Sequence, residues 1–337
     1  MRSVLIALLG FIAGVALTLF IGVGGLQHPA STPADSTAAA RAASLQDADP
    51  ADAPADNWPD NAPSPEQVLY AQPRMVQEAI TRLGPRTQGK PNLYLLAFAG
   101  DGSQDVFRNE AEYAARAFTQ RYGAATTHAL VLENNPASVT THPLATWSNL
   151  EAALDGLAQT MDPAQDILLL YVTSHGGEDH NLLIDLDPLP LDTIGATELA
   201  DILRTRPFKW KVVVVNACYS GGFVPPLRGP GTLVLTAARA DRSSFGCGSD
   251  ADVTYFGRAW LVDALNRTPD IIDAFQQARA EIGQWERRDK LTPSEPQIDI
   301  GSGVAAQLAL WRKGTTPGPP LPFTPAAAIP ASPPVPR

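Results

Sequence analysis

Two unbroken apolar runs constrain this chain more than any other feature: Ile167 to Val172, and the four consecutive valines Val212 to Val215. A strand with one wet face alternates apolar and polar residues. A continuous run instead belongs to a strand covered on both faces, as in a parallel sheet. Leu93 to Ala99 is a third such run, ending at Gly100, and Leu130–Leu132 and Thr232–Ala237 read as two more strands. Between and after them lie segments with helical spacing: Arg108–Arg121, Trp147–Met161, Thr197–Arg204, Thr254–Leu265 and Ile271–Arg287. Strand–helix alternation of this kind predicts an α/β fold, an open sandwich whose mostly parallel central sheet carries helices on both faces. In such sheets reactive groups gather where the strands end, at their carboxyl edge.

The flanks are different in kind. Arg2 precedes twenty residues without a charge, Val4 to Val23. At about 1.5 Å rise per residue, that is enough helix to cross a bilayer. Residues 1–25 are therefore expected to be an uncleaved transmembrane signal anchor. With Arg2 on the cytoplasmic side, the remainder would face outward, into the periplasm if the source is bacterial. Residues 26–65 are rich in Ala, Pro, Asp and Ser. They offer too little apolar surface to offset ordering entropy, which predicts a disordered stalk. Residues 314–337 are Pro- and Ala-rich and are expected to be a disordered tail, leaving one domain over residues 66–313. The net charge of −10 and the lack of a Lys/Arg cluster exclude nucleic acid as a partner. Two cysteines, Cys218 and Cys247, are too few for a disulfide scaffold, although an oxidising compartment could join them.

Two of the most apolar runs end in reactive residues. One ends Thr173-Ser174-His175-Gly176-Gly177; the other ends Asn216-Ala217-Cys218-Tyr219-Ser220-Gly221-Gly222. An imidazole and a thiol are thus expected at one edge of one sheet. A thiol nucleophile needs a neighbouring base to raise its thiolate fraction near neutral pH. The glycines allow close backbone approach and expose amides to a developing oxyanion. Taken singly, a Cys after a valine run is a small buried apolar residue and a strand-end His is a structural one. Together, at matching strand ends with matching glycine pairs, they read as a catalytic pair, His175 and Cys218.

Three other signals read as weaker. His175, Glu178, Asp179 and His180 lack the helical spacing of common zinc motifs, so neither a metal nor a cofactor is expected. Ser220 faintly echoes a hydrolase elbow, but Cys218 occupies the place of its first glycine. Gly100-Asp101-Gly102 lacks the glycine spacing and the lysine of a phosphate loop.

Hydrophobic-His-Gly followed by Asn216-Ala217-Cys218-Tyr219-Ser220-Gly221 resembles the legumain family of asparaginyl endopeptidases, relatives of the caspases. His175 and Cys218 are 43 positions apart, close to the roughly fifty of the caspase pattern. Phe107-Arg108-Asn109-Glu110-Ala111, Thr236-Ala237-Ala238, Ser243–Cys247 and Tyr255-Phe256-Gly257 extend the likeness over residues 90 to 312. The resemblance implies a caspase-like fold and a cysteine endopeptidase acting on protein or peptide through a thioester acyl-enzyme. It also implies an oxyanion hole from the amides of Gly176 and Cys218, and a substrate pocket lined by Arg108, Ser243 and Ser244. The chain departs from the family at Tyr219 and Arg258, where legumains carry acids that select asparagine. It departs again at Val106, where they carry a His-orienting asparagine. Those differences favour acidic or neutral polar residues before the cut. Two alternatives use the same dyad or none of it: a transamidase, and a catalytically silent binding module.

Overall fold

The computed structural model describes residues 58–248 and 251–326. Six strands form one sheet in the order β2-β1-β3-β6-β7-β8. They are β1 (Leu93–Ala99), β2 (Thr127–Glu133), β3 (Ile167–Thr173), β6 (Trp210–Asn216), β7 (Thr232–Thr236) and β8 (Gln297–Ile300). All pairings are parallel except β7 with β8. A small antiparallel pair, β4 (Asn181–Leu182) and β5 (Ile194–Gly195), follows His175.

Helices cover both faces. On one lie α1 (Pro65–Thr81), α3 (Trp147–Thr160), α4 (Ala196–Arg204) and α5 (Val224–Leu227). On the other lie α2 (Asp105–Tyr122), a π-helix (Gly257–Ala264) leading into α6 (Leu265–Arg267), α7 (Ile271–Arg288) and α8 (Val304–Lys313). Successive residues of β1 divide between the two cores: Leu93, Leu95 and Ala97 point to one, Tyr94, Leu96 and Phe98 to the other. Both faces of the strand are dry, which is why the run is continuously apolar. The α/β sandwich expected from the sequence is therefore present, with each of its five strands in place.

Besides β4, β5 and α5, three further elements were not expected. Helix α1 begins at a Ser64–Gln67 capping box but contains Pro73, which obscures its period. β8 is an edge strand of four residues, half polar, whose pattern is too short to stand out. α8 follows it and closes the core through Leu308 and Trp311. The expected flanks also shift. Trp58, assigned to the stalk, packs against a small cluster around Val68 and Leu144. Residues assigned to a disordered tail form, through Ala326, an extended strap against α2. Asn266 Nδ2 and Tyr113 Oη both donate to the carbonyl of Leu321, Arg121 Nη1 donates to that of Gly318, and Phe323 packs on Tyr113 at 5.3 Å. Proline-rich composition hid a segment whose carbonyls are received by side chains of the domain. The apolar run Val4 to Val23 lies outside the described residues; among those residues no helix is long and apolar enough to cross a membrane.

Candidate active site

Register places the reactive residues. Ala99, Thr173 and Asn216 pair across β1, β3 and β6 at the last step of the ladder. Two residues beyond each lie Asp101, His175 and Cys218, so three neighbouring strands deliver three chemical groups at the same height. Side chains alternate along a strand, so equal steps from an in-register row also begin on the same side. The backbones of the His and Cys loops touch: a Cβ on Gly176 would lie 2.3 Å from the carbonyl oxygen of Cys218. Gly222 is equally constrained, its missing Cβ being 2.2 Å from the His180 ring. These glycines thus serve internal close packing of the two loops, a reason the sequence did not reveal.

Cys218 and His175 are both half-buried. The backbone N–H of Ser244 points at Cys218 Sγ at 3.3 Å, placing an amide donor on the atom that carries charge in a thiolate. Immediately after the cysteine, Tyr219 adopts the left-handed region at φ 55°. Such a conformation in a non-glycine residue costs on the order of 1–3 kcal/mol and collects at functional turns. It is held by three contacts: Tyr219 N–H to the Arg242 carbonyl, Tyr219 Oη to Glu178, and the Tyr219 carbonyl beside His180 Nδ1 at 3.1 Å. Ser220 is fully buried and accepts from the N–H of Ala238. It ties the cysteine loop to β7 and has no access to a substrate.

Asp101 is the site residue that motif reading missed. Its side chain is 1% exposed, and Oδ2 lies 3.6 Å from His175 Nε2. Oδ1 accepts from Ser103 N–H, whereas Oδ2 is buried without a hydrogen-bond partner among the described residues. Phe107 packs edge-on against the imidazole at 5.1 Å. The sequence sought a His-orienting group at Val106, on α2, and found none; the carboxylate comes instead from the end of β1. The signal that could have found it was the register itself, since Ala99 and Thr173 end parallel runs.

Beneath this row lies a wholly buried carboxylate, Glu110 of α2. It accepts from Tyr171 Oη, Thr173 Oγ1, Asn216 Nδ2, and both the N–H and Oγ1 of Thr254. Burial pushes its carboxyl above the usual range, and the bonds from Thr173 and Thr254 oppose that push. Thr173 and Asn216 are the last strand residues before Ser174-His175 and Ala217-Cys218. Glu110 therefore fixes the platform from which both reactive residues project.

The expected pocket residues divide. Arg108 is buried, its Nη1 donating to Asn135 Oδ1 at 3.1 Å and its Nη2 3.5 Å from Asp105. Asp105 and Asn135 also line an open cleft of about 540 Å³ together with Gly102, Asn109 and Ala326. Ser244 meets the thiol, while Ser243 is solvent-exposed. Arg258 pairs with Asp263 at 3.1 Å and is half exposed. Both cysteines are free thiols. Burial, and then the neighbouring Cys218, push the Cys247 thiol up.

The model of the Peptidase C13 family matches residues 149–306, a span that includes His175, Cys218 and Ser244 but not Asp101 or Arg108. The legumain-family resemblance drawn from the sequence motifs is met by this match. No curated protein matches the chain. Among solved structures, a secreted C11 cysteine protease from Bacteroides thetaiotaomicron, in complex with an irreversible peptide inhibitor, aligns at 12% identity and a TM-score of 0.39. The alignment covers 58% of this chain and 59% of that protease, so this chain spans little more than half of its length.

Proposed function

We propose that the protein is a cysteine endopeptidase in which Cys218, His175 and Asp101 act together. The observation that carries this reading is the row of three groups at equal steps beyond one in-register ladder, with a buried carboxylate oxygen facing His175 Nε2. At 3.6 Å the Asp101–His175 contact is longer than a hydrogen bond; such catalytic contacts commonly tighten when substrate binds. With Nε2–H directed at Asp101, Nδ1 is left to take and return the thiol proton.

In the proposed reaction the thiolate of Cys218 attacks the scissile carbonyl carbon. The C–S bond forms as the carbonyl electron pair moves to oxygen, and the amides of Gly176 and Cys218 receive that oxyanion. Collapse breaks the C–N bond, and the imidazolium of His175 gives its proton to the departing amine. Water then attacks the thioester, His175 accepts its proton, and the acid leaves as the thiolate is restored. Ser244 N–H, already on the sulfur, stabilises the thiolate at both ends of the cycle. Arg108, held by Asp105 and Asn135, supports acceptance of acidic or neutral polar residues before the cut. A peptide-library cleavage profile with tight asparagine selectivity would overturn that preference.

The experiment is labelling of the full chain by a thiol-directed peptidyl probe under reducing conditions, alongside peptide hydrolysis. Labelling and hydrolysis lost in Cys218→Ala, with hydrolysis reduced at least about 100-fold in His175→Ala, are expected. Absence of both in the wild type would favour a binding module. An added amine incorporated at the new carboxyl end would favour transamidation. Anchoring through Val4–Val23 is proposed as well, and is tested by extraction of membranes at alkaline pH: release of the intact chain argues against it.

A further inference from the structure

Beside the catalytic row, the β2 end of the sheet carries a second group of ionisable side chains that peptide hydrolysis does not use. Glu133 is the last residue of β2, Glu112 lies on α2, and His142 follows in the loop after β2. One ligand atom from each lies within 4.8 Å of the others. The Glu133 side chain is inaccessible to solvent, and among the described residues neither carboxylate oxygen has a hydrogen-bond partner. A buried carboxylate without donors is costly unless a cation or proton compensates it. The group nearest to it is His142, whose Nδ1 lies 3.2 Å from Oε1, and Glu112 brings a second acid to the same place.

We propose that Glu112, Glu133 and His142 form a binding site for a divalent transition-metal ion of the zinc type. The donor set decides the class. Calcium and magnesium take oxygen ligands, whereas an imidazole with two carboxylates suits zinc. Three protein ligands leave a position for water, and the site can be reached because His142 and Glu112 are only partly buried. A doubly charged ion would offset both acids, which share this 4.8 Å cluster. Arg116 Nη1 lies 3.3 Å from Glu112 Oε2, and the charges of Arg108 and, toward His142, Arg82 also reach the cluster.

The position gives the ion a structural consequence. Glu112 is one helical turn beyond Arg108, and the loop from Glu133 to His142 contains Asn135, the residue that receives Arg108 Nη1. An ion held by all three ligands would clamp α2 to this loop and stiffen the flank of the cleft. This is contrary to the sequence expectation of no metal, which weighed only the residues near His175. The ligands come from three separate elements and share no motif spacing.

The test uses the full chain as the Cys218→Ala, Cys247→Ala double variant, so that zinc cannot engage a thiol, stripped with chelator and titrated with zinc chloride at pH 7.5. One ion per chain by calorimetry and a rise in Tm of about 5 °C are expected. Glu133→Gln is expected to abolish the Tm rise and weaken binding at least tenfold. His142→Ala, at a part-exposed position, gives the same readout if Glu133→Gln fails to fold. An unchanged zinc-induced Tm rise in both variants, or none in the parent, overturns the site. A larger Tm rise with calcium chloride than with zinc overturns the metal class.

Discussion

Glu110 and Glu133 are both buried to within 1% of full inaccessibility, both at the carboxyl edge of one sheet, yet their surroundings are opposite. Glu110, under the centre, receives five hydrogen bonds from four residues, on two strands and the loop before the π-helix. Glu133, on the β2 flank, receives none among the described residues. Burial of a carboxylate is tolerated when donors replace its water, and Glu110 has them. The centre is thus a finished platform, whereas the flank is chemically incomplete until something positive enters. Asp101 lies between these extremes, with one oxygen satisfied by Ser103 N–H and the other turned to His175.

The contrast is broken most forcefully at the centre. Glu110→Ala leaves Tyr171 Oη, Thr173 Oγ1 and Thr254 Oγ1 without their acceptor and opens a cavity. It should cost about 4 kcal/mol of stability in urea denaturation. A loss below about 1 kcal/mol would mean the network is not what holds the strand ends. Next in size, Asp101→Asn should lower kcat about 100-fold, near 2.7 kcal/mol at the transition state, with KM unchanged. A rise in KM at constant kcat would instead make Asp101 part of substrate binding. Ser220→Ala removes the acceptor of Ala238 N–H and should cost about 1 kcal/mol.

pH sharpens the comparison further. Because the folded-state value of Glu110 is raised above its ordinary 4.5, the folded chain holds this proton more tightly than the unfolded chain. Stability should fall as pH rises from about that ordinary value through the raised one, and Glu110→Gln should flatten this slope. His142 is raised above its ordinary 6.5, chiefly by Glu133, whose Oε1 lies 3.2 Å from its Nδ1. In metal-free protein its contribution should be complete below that value and lost as pH climbs through the raised one. Glu133→Gln should remove the His142 window and leave the Glu110 slope untouched, the smallest of these effects. Melts across pH for both variants separate the two.

Much of this architecture was legible because its causes are local. β1, β3 and β6 announce themselves as unbroken apolar runs, and the glycine-flanked His175 and Cys218 mark where two of them stop. Asp101 escaped because a loop aspartate after Gly100 has many ordinary uses. Only pairing of Ala99 with Thr173 reveals that it stands beside the histidine. Glu110 reads as one of several acids on an amphipathic helix, and nothing in its neighbours announces total burial. The strap from Gly314 to Ala326 was misread because composition reports what a segment cannot bury by itself, not what a finished surface offers its carbonyls.

The sequence by itself determined the covered parallel sheet, the positions where its central strands end, and the thiol and imidazole placed there. These follow from side-chain periodicity and turn chemistry within a few residues. Only the tertiary structure decided which acids support those groups, which acid lies buried without donors, and where the Pro-rich end docks. Burial and partnership are properties of contacts between distant segments, and the energy of a carboxylate depends on them more than on its neighbours along the chain.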